Sequence, residues 1–210
     1  MKIAGVMSLV LLLISLAVVP VLAIFPMFLL VQSLQSKIQL STNHFYRKYI
    51  ILGSAFGLLT EVLAILDNLG TPPEEKILFH PNPVLDLVLG VGFYFFVAVM
   101  WAILIRRYAF NEKSILVIGG IWGIVVEQDA AILLSPLTQG VVLGAFSYLF
   151  VFLVYGPFMA ISPLFFREGL NVKKRKERKL RHAVLAFFML CGAYVLAGMY
   201  MILVWIALGL

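Results

Sequence analysis

The chain has 210 residues, 63% of them hydrophobic and only 12% charged, with a mean hydropathy of +1.06. Soluble domains carry roughly 45–50% apolar and about 25% charged residues, so this chain lacks the charge to cover a water-facing surface, and a soluble globule is excluded. The composition predicts an all-α, polytopic helix bundle forming a single transmembrane domain over residues 1–210, integral to a cell membrane.

Crossing a hydrocarbon core of roughly 30 Å takes about 20 apolar residues in helical form. Six stretches meet that length, at about residues 4–32, 48–67, 84–105, 114–134, 141–166 and 183–208. Their apolar runs are continuous rather than alternating with a period of two, which predicts transmembrane helices and not a barrel. In the first, Pro20 and Pro26 are each expected to kink the helix, because proline lacks a backbone donor and crowds the preceding turn.

Lysine and arginine set the expected orientation. Of the 16 basic residues, 14 fall in the loops after the first, third and fifth spans (33–48, 106–113 and 167–182). The second loop instead carries Asp67, Glu74, Glu75 and Asp86 around a single Lys76. Six spans with the basic loops cytoplasmic place both termini outside. Lys2, the apolar run to Leu22 and the small-residue step Val21-Leu22-Ala23 also fit a cleavable signal peptide. Cleavage would send the basic fifth loop outward, so a retained first helix is the expectation.

The second and fourth spans repeat one pattern. Gly53, Gly57 and Glu61 stand at four-residue intervals, and Gly119, Gly123 and Glu127 do the same 66 residues further on. Residues four apart share a helix face, so each carboxyl continues a glycine stripe that permits close helix packing. From Lys48 to Glu61 is about 20 Å of helix, and from Lys113 to Glu127 about 21 Å, at 1.5 Å per residue. The two acids are therefore expected at matching depth, meeting inside the bundle as their glycine tracks draw the helices together. Asp67 lies beyond Glu61, and Asp129 lies two residues past Glu127, toward the opposite side. No lysine, arginine or histidine falls in the middle of a span, so the acids must hold a proton, find polar partners or bind a cation. Thr60, Tyr94, Trp101, Trp122 and Gln128 are the nearest polar side chains on offer. Each Glu-bearing span leads through a proline-containing loop into a return span ending in arginine, which suggests a duplicated hairpin, 48–107 and 114–167. Transporters built from repeats commonly place their site at the repeat interface.

Other features narrow the chemistry. Cys191 stands alone, so no intrachain disulfide can form, and His44, His80 and His182 lie in polar connecting segments. The run Lys173, Lys174, Arg175 and Lys176 suits anionic lipid headgroups or simply fixes orientation; no folded basic module accompanies it, and nucleic acid is not an expected partner. Glu74, Glu75 and His80, in a proline-stiffened loop, read as a rigid solvated turn. No phosphate-binding glycine loop, His-Glu-x-x-His helix or Gly-x-Ser-x-Gly elbow appears.

Three short resemblances can be read from the residues. Glu61 to Asn68, as Glu-x5-Asp-Asn, resembles the acidic signature of the TerC metal-ion exporters, although Gly70-Thr71-Pro72-Pro73 ends the helix where that family continues. An acid in the second span, Trp101 in the third and Asp129 ahead of Pro136 are similar to membrane carotenoid hydratases, and Pro73-Glu74-Glu75 resembles a step in lycopene cyclases. Each covers a small fraction of the chain, and no family is assigned on them.

The leading expectation is a small proton- or cation-coupled transporter, with Glu61, Glu127, Asp129 and Asp67 binding the ion and Gly53, Gly57, Gly119 and Gly123 packing the helices. Two further readings stand beside it. One is an enzyme whose neutral carboxyl protonates an isoprenoid or carotenoid-type lipid, with Phe93, Tyr94, Phe95, Phe96 and Trp101 stabilising a cation. The other is a subunit of a homo-oligomer or larger membrane complex with no chemistry of its own. The sequence names no cofactor.

Overall fold

A computed structural model describes residues 3–128, 130–166 and 180–209. Lys2, Asp129 and the basic run Lys173, Lys174, Arg175 and Lys176 lie outside the described residues. The described residues form helices joined by loops, with no strand among them: α1 (Ile3–Val18), a 3-10 turn (Pro20–Ala23), α2 (Ile24–Leu34), α3 (Phe45–Asp67), α4 (Pro83–Arg107), α5 (Glu112–Val126), α6 (Ala131–Thr138), α7 (Val141–Leu164) and α8 (Leu180–Leu208). Five segments are long and apolar enough to cross a membrane: Pro20–Lys37, α3, α4, α7 and α8. The α5 and α6 pair makes a sixth if the two count as one broken span.

Two of the expected spans are not continuous. The run 4–32 divides at Val19, whose backbone leaves the helical region (φ −143°, ψ 83°) ahead of Pro20. Proline disfavours the helical conformation in the residue before it, so α1 ends there as a separate helix, packed on α2 and the 3-10 turn. Pro26 makes no break, because it sits in the first turn of α2, where a missing N–H costs nothing. The run 114–134 also divides. The N–H of Glu127 closes α5 on the Gly123 carbonyl at 2.9 Å, after which Gln128 (φ 51°) and Ala130 (φ 68°) turn left-handed before α6 begins. The polar segment Glu127-Gln128-Asp129 follows three β-branched residues, Ile124 to Val126; branched side chains propagate a helix poorly, and polar ones compete for its backbone groups.

Local chemistry fixes the other helix starts. The Asn82 side chain accepts from the N–H groups of Val84 and Leu85, with Pro83 as the first helical residue of α4. Asn111 caps α5 by accepting from Ser114 N–H at 2.9 Å.

One end of the bundle gathers the described basic residues other than Lys76. The Leu40 N–H donates to the Phe165 carbonyl at 2.6 Å, and Gln39 Nε2 to the Leu164 carbonyl at 2.9 Å. Arg106 lies over the Phe45 ring, and Tyr108 stacks on His182 at 4.2 Å. These contacts tie the loop after α2, the ends of α4 and α7 and the start of α8 together. His182, expected in a polar connection, is buried in the first turn of α8. At the opposite end Asp67 Oδ2 accepts from the Val21 N–H at 2.8 Å, pinning the end of α3 to the turn before α2.

The interior packs as two close antiparallel pairs, α3 on α4 and α5 on α7, with α8 laid along α4 and α7 also touching α2 and α3. The core between them is built of large side chains, with Trp101, Trp122, Tyr49 and Phe166 among the most deeply buried.

Candidate functional site

The glycine stripes make the two close pairs. A Cβ on Gly53 would lie 2.8 Å from that of Ala98, and one on Gly57 would overlap the Tyr94 ring. On α5, a Cβ on Gly119 would come within 2.8 Å of Met159 Sδ, and one on Gly123 within 2.5 Å of the Tyr155 ring. Only a residue without a side chain fits, so backbone and ring meet directly. Each stripe therefore packs against the return helix of its own hairpin, and α3 and α5 are not drawn together. Tyr94 and Ala98 answer the first stripe, and Tyr155 and Met159, 61 residues further on, answer the second.

Each tyrosine donates its hydroxyl to the glutamate at the end of the stripe. Tyr94 Oη donates to Glu61 Oε2 at 2.6 Å, and Tyr155 donates to Glu127 Oε2. The two glutamates lie within electrostatic range of one another, but each takes its own tyrosine. Between them stands Phe158, its ring 5.5 Å from that of Tyr94 and 5.7 Å from that of Tyr155. The meeting of two acids expected from the stripes is thus an arrangement of two carboxyl–tyrosine units on either side of an apolar ring. Among the described residues neither carboxyl has a basic partner.

Glu61 does meet a second acid, Asp86. The helix turn Asp86-Gly90-Tyr94 lines the face of α4 opposite Glu61, and Gly90 leaves room for the Glu61 side chain, whose Cγ would be 3.6 Å from a Cβ there. The Glu61 side chain packs beside Gly90, one helix turn from Asp86, and the two carboxyls interact electrostatically. Asp86 is 0% exposed and Glu61 5%. The N–H of His80 donates to Asp86 Oδ1 at 3.1 Å, while Oδ2 is buried with no N–H or O–H donor upon it. Sequence reasoning counted Asp86 with the acids of the second loop, at the outer mouth of the third span. The usable signal was the four-residue spacing Asp86-Gly90-Tyr94-Ala98, which mirrors Glu61-Gly57-Gly53 across the helix pair.

The other candidates are placed elsewhere. Asp67 is occupied by the Val21 N–H and does not join Glu61. Thr60 donates to the carbonyl of Phe56, and Trp101 Nε1 to Met159 Sδ at 3.2 Å. Trp122 is fully buried, stacked on Phe93 at 6.0 Å, with its Nε1 unpaired. On the basic-end side of Tyr94, a narrow cleft with room for about one water molecule is lined by Tyr49, Gly53, Tyr94, Trp101, Met159 and Ser162 among others. The buried hydroxyls of Ser162 and Ser54 have no partner. Among the described residues no three His, Cys, Asp or Glu side chains are arranged to hold a metal ion.

Long apolar helices, with charge gathered at their ends, define this chain as a multi-pass membrane protein. It matches no protein-family model, no curated protein sequence and no solved structure.

Proposed function

We propose that the protein is a small proton- or cation-coupled membrane transporter whose ion-responsive groups are Glu61 and Glu127. One observation carries this reading: two carboxyls, Glu61 buried and Glu127 half-buried, each stand at the end of a glycine stripe and are each held by a tyrosine hydroxyl, with no basic residue among the described ones to neutralise them. Purely structural positions in an apolar bundle are served by apolar residues at no desolvation cost, whereas ionisable groups at membrane depth mark ion pathways. The helix break beside Glu127 supports the same reading, since interrupted helices line the sites of many transporters. The resemblance of the two hairpins supports a duplication of residues 48–107 as 114–167.

The basic loops are taken as cytoplasmic and both termini as outside, supported by the clustering of Lys37, Arg47, Lys48, Arg106, Arg107, Lys113 and Arg181 at one end. A binding role for anionic lipid at Lys173 to Lys176 belongs to the same orientation.

The test is proton movement in sealed vesicles. Protein reconstituted with an internal pH dye, under an imposed potential or a screen of cation gradients, should show uptake well above that of empty vesicles. Glu61→Gln combined with Glu127→Gln should abolish it. Equal rates in empty, wild-type and double-variant vesicles would eliminate the reading.

A further inference from the structure

We infer that Glu61 and Asp86 share one proton, held between their carboxyls, and that this proton is the ion the bundle takes up. The role as transported or coupling ion rests on the transport reading above; the shared proton does not.

The inference follows from what surrounds the pair. Donors already serve the outer oxygens: the Tyr94 hydroxyl is on Glu61 Oε2, and the His80 N–H is on Asp86 Oδ1, with the Phe79 N–H also directed at the Asp86 carboxyl. What remains is one carboxyl facing another, with Asp86 Oδ2 wholly buried and without a donor. Two carboxylates side by side repel, and an orphaned buried oxygen costs about 1–3 kcal/mol. A single proton between them removes both penalties, because the protonated acid becomes the missing donor. Among the described residues no third His, Cys, Asp or Glu joins the two carboxyls to complete a metal site.

The arrangement also supplies a direction. Asp86 lies one turn inside α4, under the turn made by Phe79 and the half-buried His80, whose imidazole is within electrostatic reach. Glu61 lies deeper, against Tyr94. A proton reaching Asp86 forms its O–H bond. Transfer breaks that bond and forms the O–H of Glu61, leaving the Asp86 carboxylate to the two backbone N–H groups. The other titratable groups that face this pair are His80 from the loop, Tyr94 on α4, Tyr155 on α7 and Glu127 at the end of α5. Among the described residues the second hairpin shows no counterpart: 61 residues beyond Asp86 stands Ser147, whose hydroxyl donates to the Leu143 carbonyl of its own helix.

Infrared spectroscopy of the purified full chain, in H2O and D2O, tests this directly. The wild type should show a protonated-carboxyl C=O band that shifts on deuteration and survives saturating Na+. Glu61→Gln and Asp86→Asn should each remove that same band, because an amide N–H supplies the missing donor, and the double variant should lose nothing more. No such band in the wild type, its displacement by Na+, or separate additive losses from the two variants would overturn the shared proton. If one of these variants fails to fold, the other still decides the matter, with Glu127→Gln as the control that must leave the band in place. An intact band pattern with no proton uptake in vesicles would sustain the shared proton and remove its transport role; uptake without the band pattern would do the reverse.

Discussion

The two hairpins, α3–α4 and α5–α7, solve the same packing problem and end with different chemistry. In both, two glycines let a tyrosine ring lie against backbone, and the tyrosine hydroxyl reaches a glutamate one turn further on. In the first, α3 is unbroken through Glu61 and the return helix brings Asp86 to it. In the second, α5 ends at Val126, Glu127 sits at the break, and Ser147 stands where a second acid would be. The packing device positions a carboxyl; what that carboxyl can do is then set by one further residue on the return helix. Among the described residues, only the first hairpin brings two acids together.

Substitution at the stripes should have the largest effect. Gly57→Leu and Gly123→Leu force a side chain into the Tyr94 and Tyr155 rings, and both should prevent recovery of folded protein in mild detergent. Gly192→Leu on α8, where nothing lies within 4 Å, should be recovered normally. Next comes the ring that separates the two units. Phe158→Ala should cost about 3–5 kcal/mol, as for other large-to-small changes at fully packed sites, read as a drop in the thermal unfolding midpoint.

The tyrosines give a smaller and more discriminating result. Loss of a hydroxyl that leaves a buried acceptor unsatisfied costs about 1–3 kcal/mol. Tyr155→Phe should cost more than Tyr94→Phe without reaching the upper end, because it strips the half-buried Glu127 of its described partner. Tyr94→Phe should fall at the lower end, because Glu61 keeps Asp86. Equal losses would break the contrast between the hairpins. The smallest effect should be at Asp67, outside both units: Asp67→Ala removes the acceptor for the Val21 N–H and should cost about 1 kcal/mol, the usual worth of a capping side chain.

Much of this architecture was legible in the sequence because bilayer physics writes in long words. Apolar runs of membrane length located α3, α4, α7 and α8 to within a few residues, and four-residue glycine spacing singled out the stripes and their glutamates. What the sequence hid is which surfaces meet. A glycine stripe says that something approaches closely, and nothing in Gly53-Gly57-Glu61 distinguishes its own return helix from the matching stripe on α5. Asp86 was hidden because two prolines and a polar loop precede it, so it read as one of the acids of that loop, although the Asn82 cap and Pro83 begin the helix early enough to carry it inside. The breaks at Val19 and Glu127 depend on local backbone competition that hydropathy does not register.

The most direct test of the account separates the two glutamates. Proton uptake should be measured side by side in vesicles holding wild type, Glu61→Gln or Glu127→Gln, matched for protein content. The account predicts that Glu61→Gln falls to the rate of empty vesicles while Glu127→Gln keeps a measurable fraction. Wild-type uptake in Glu61→Gln, or identical losses in the two variants, would contradict it.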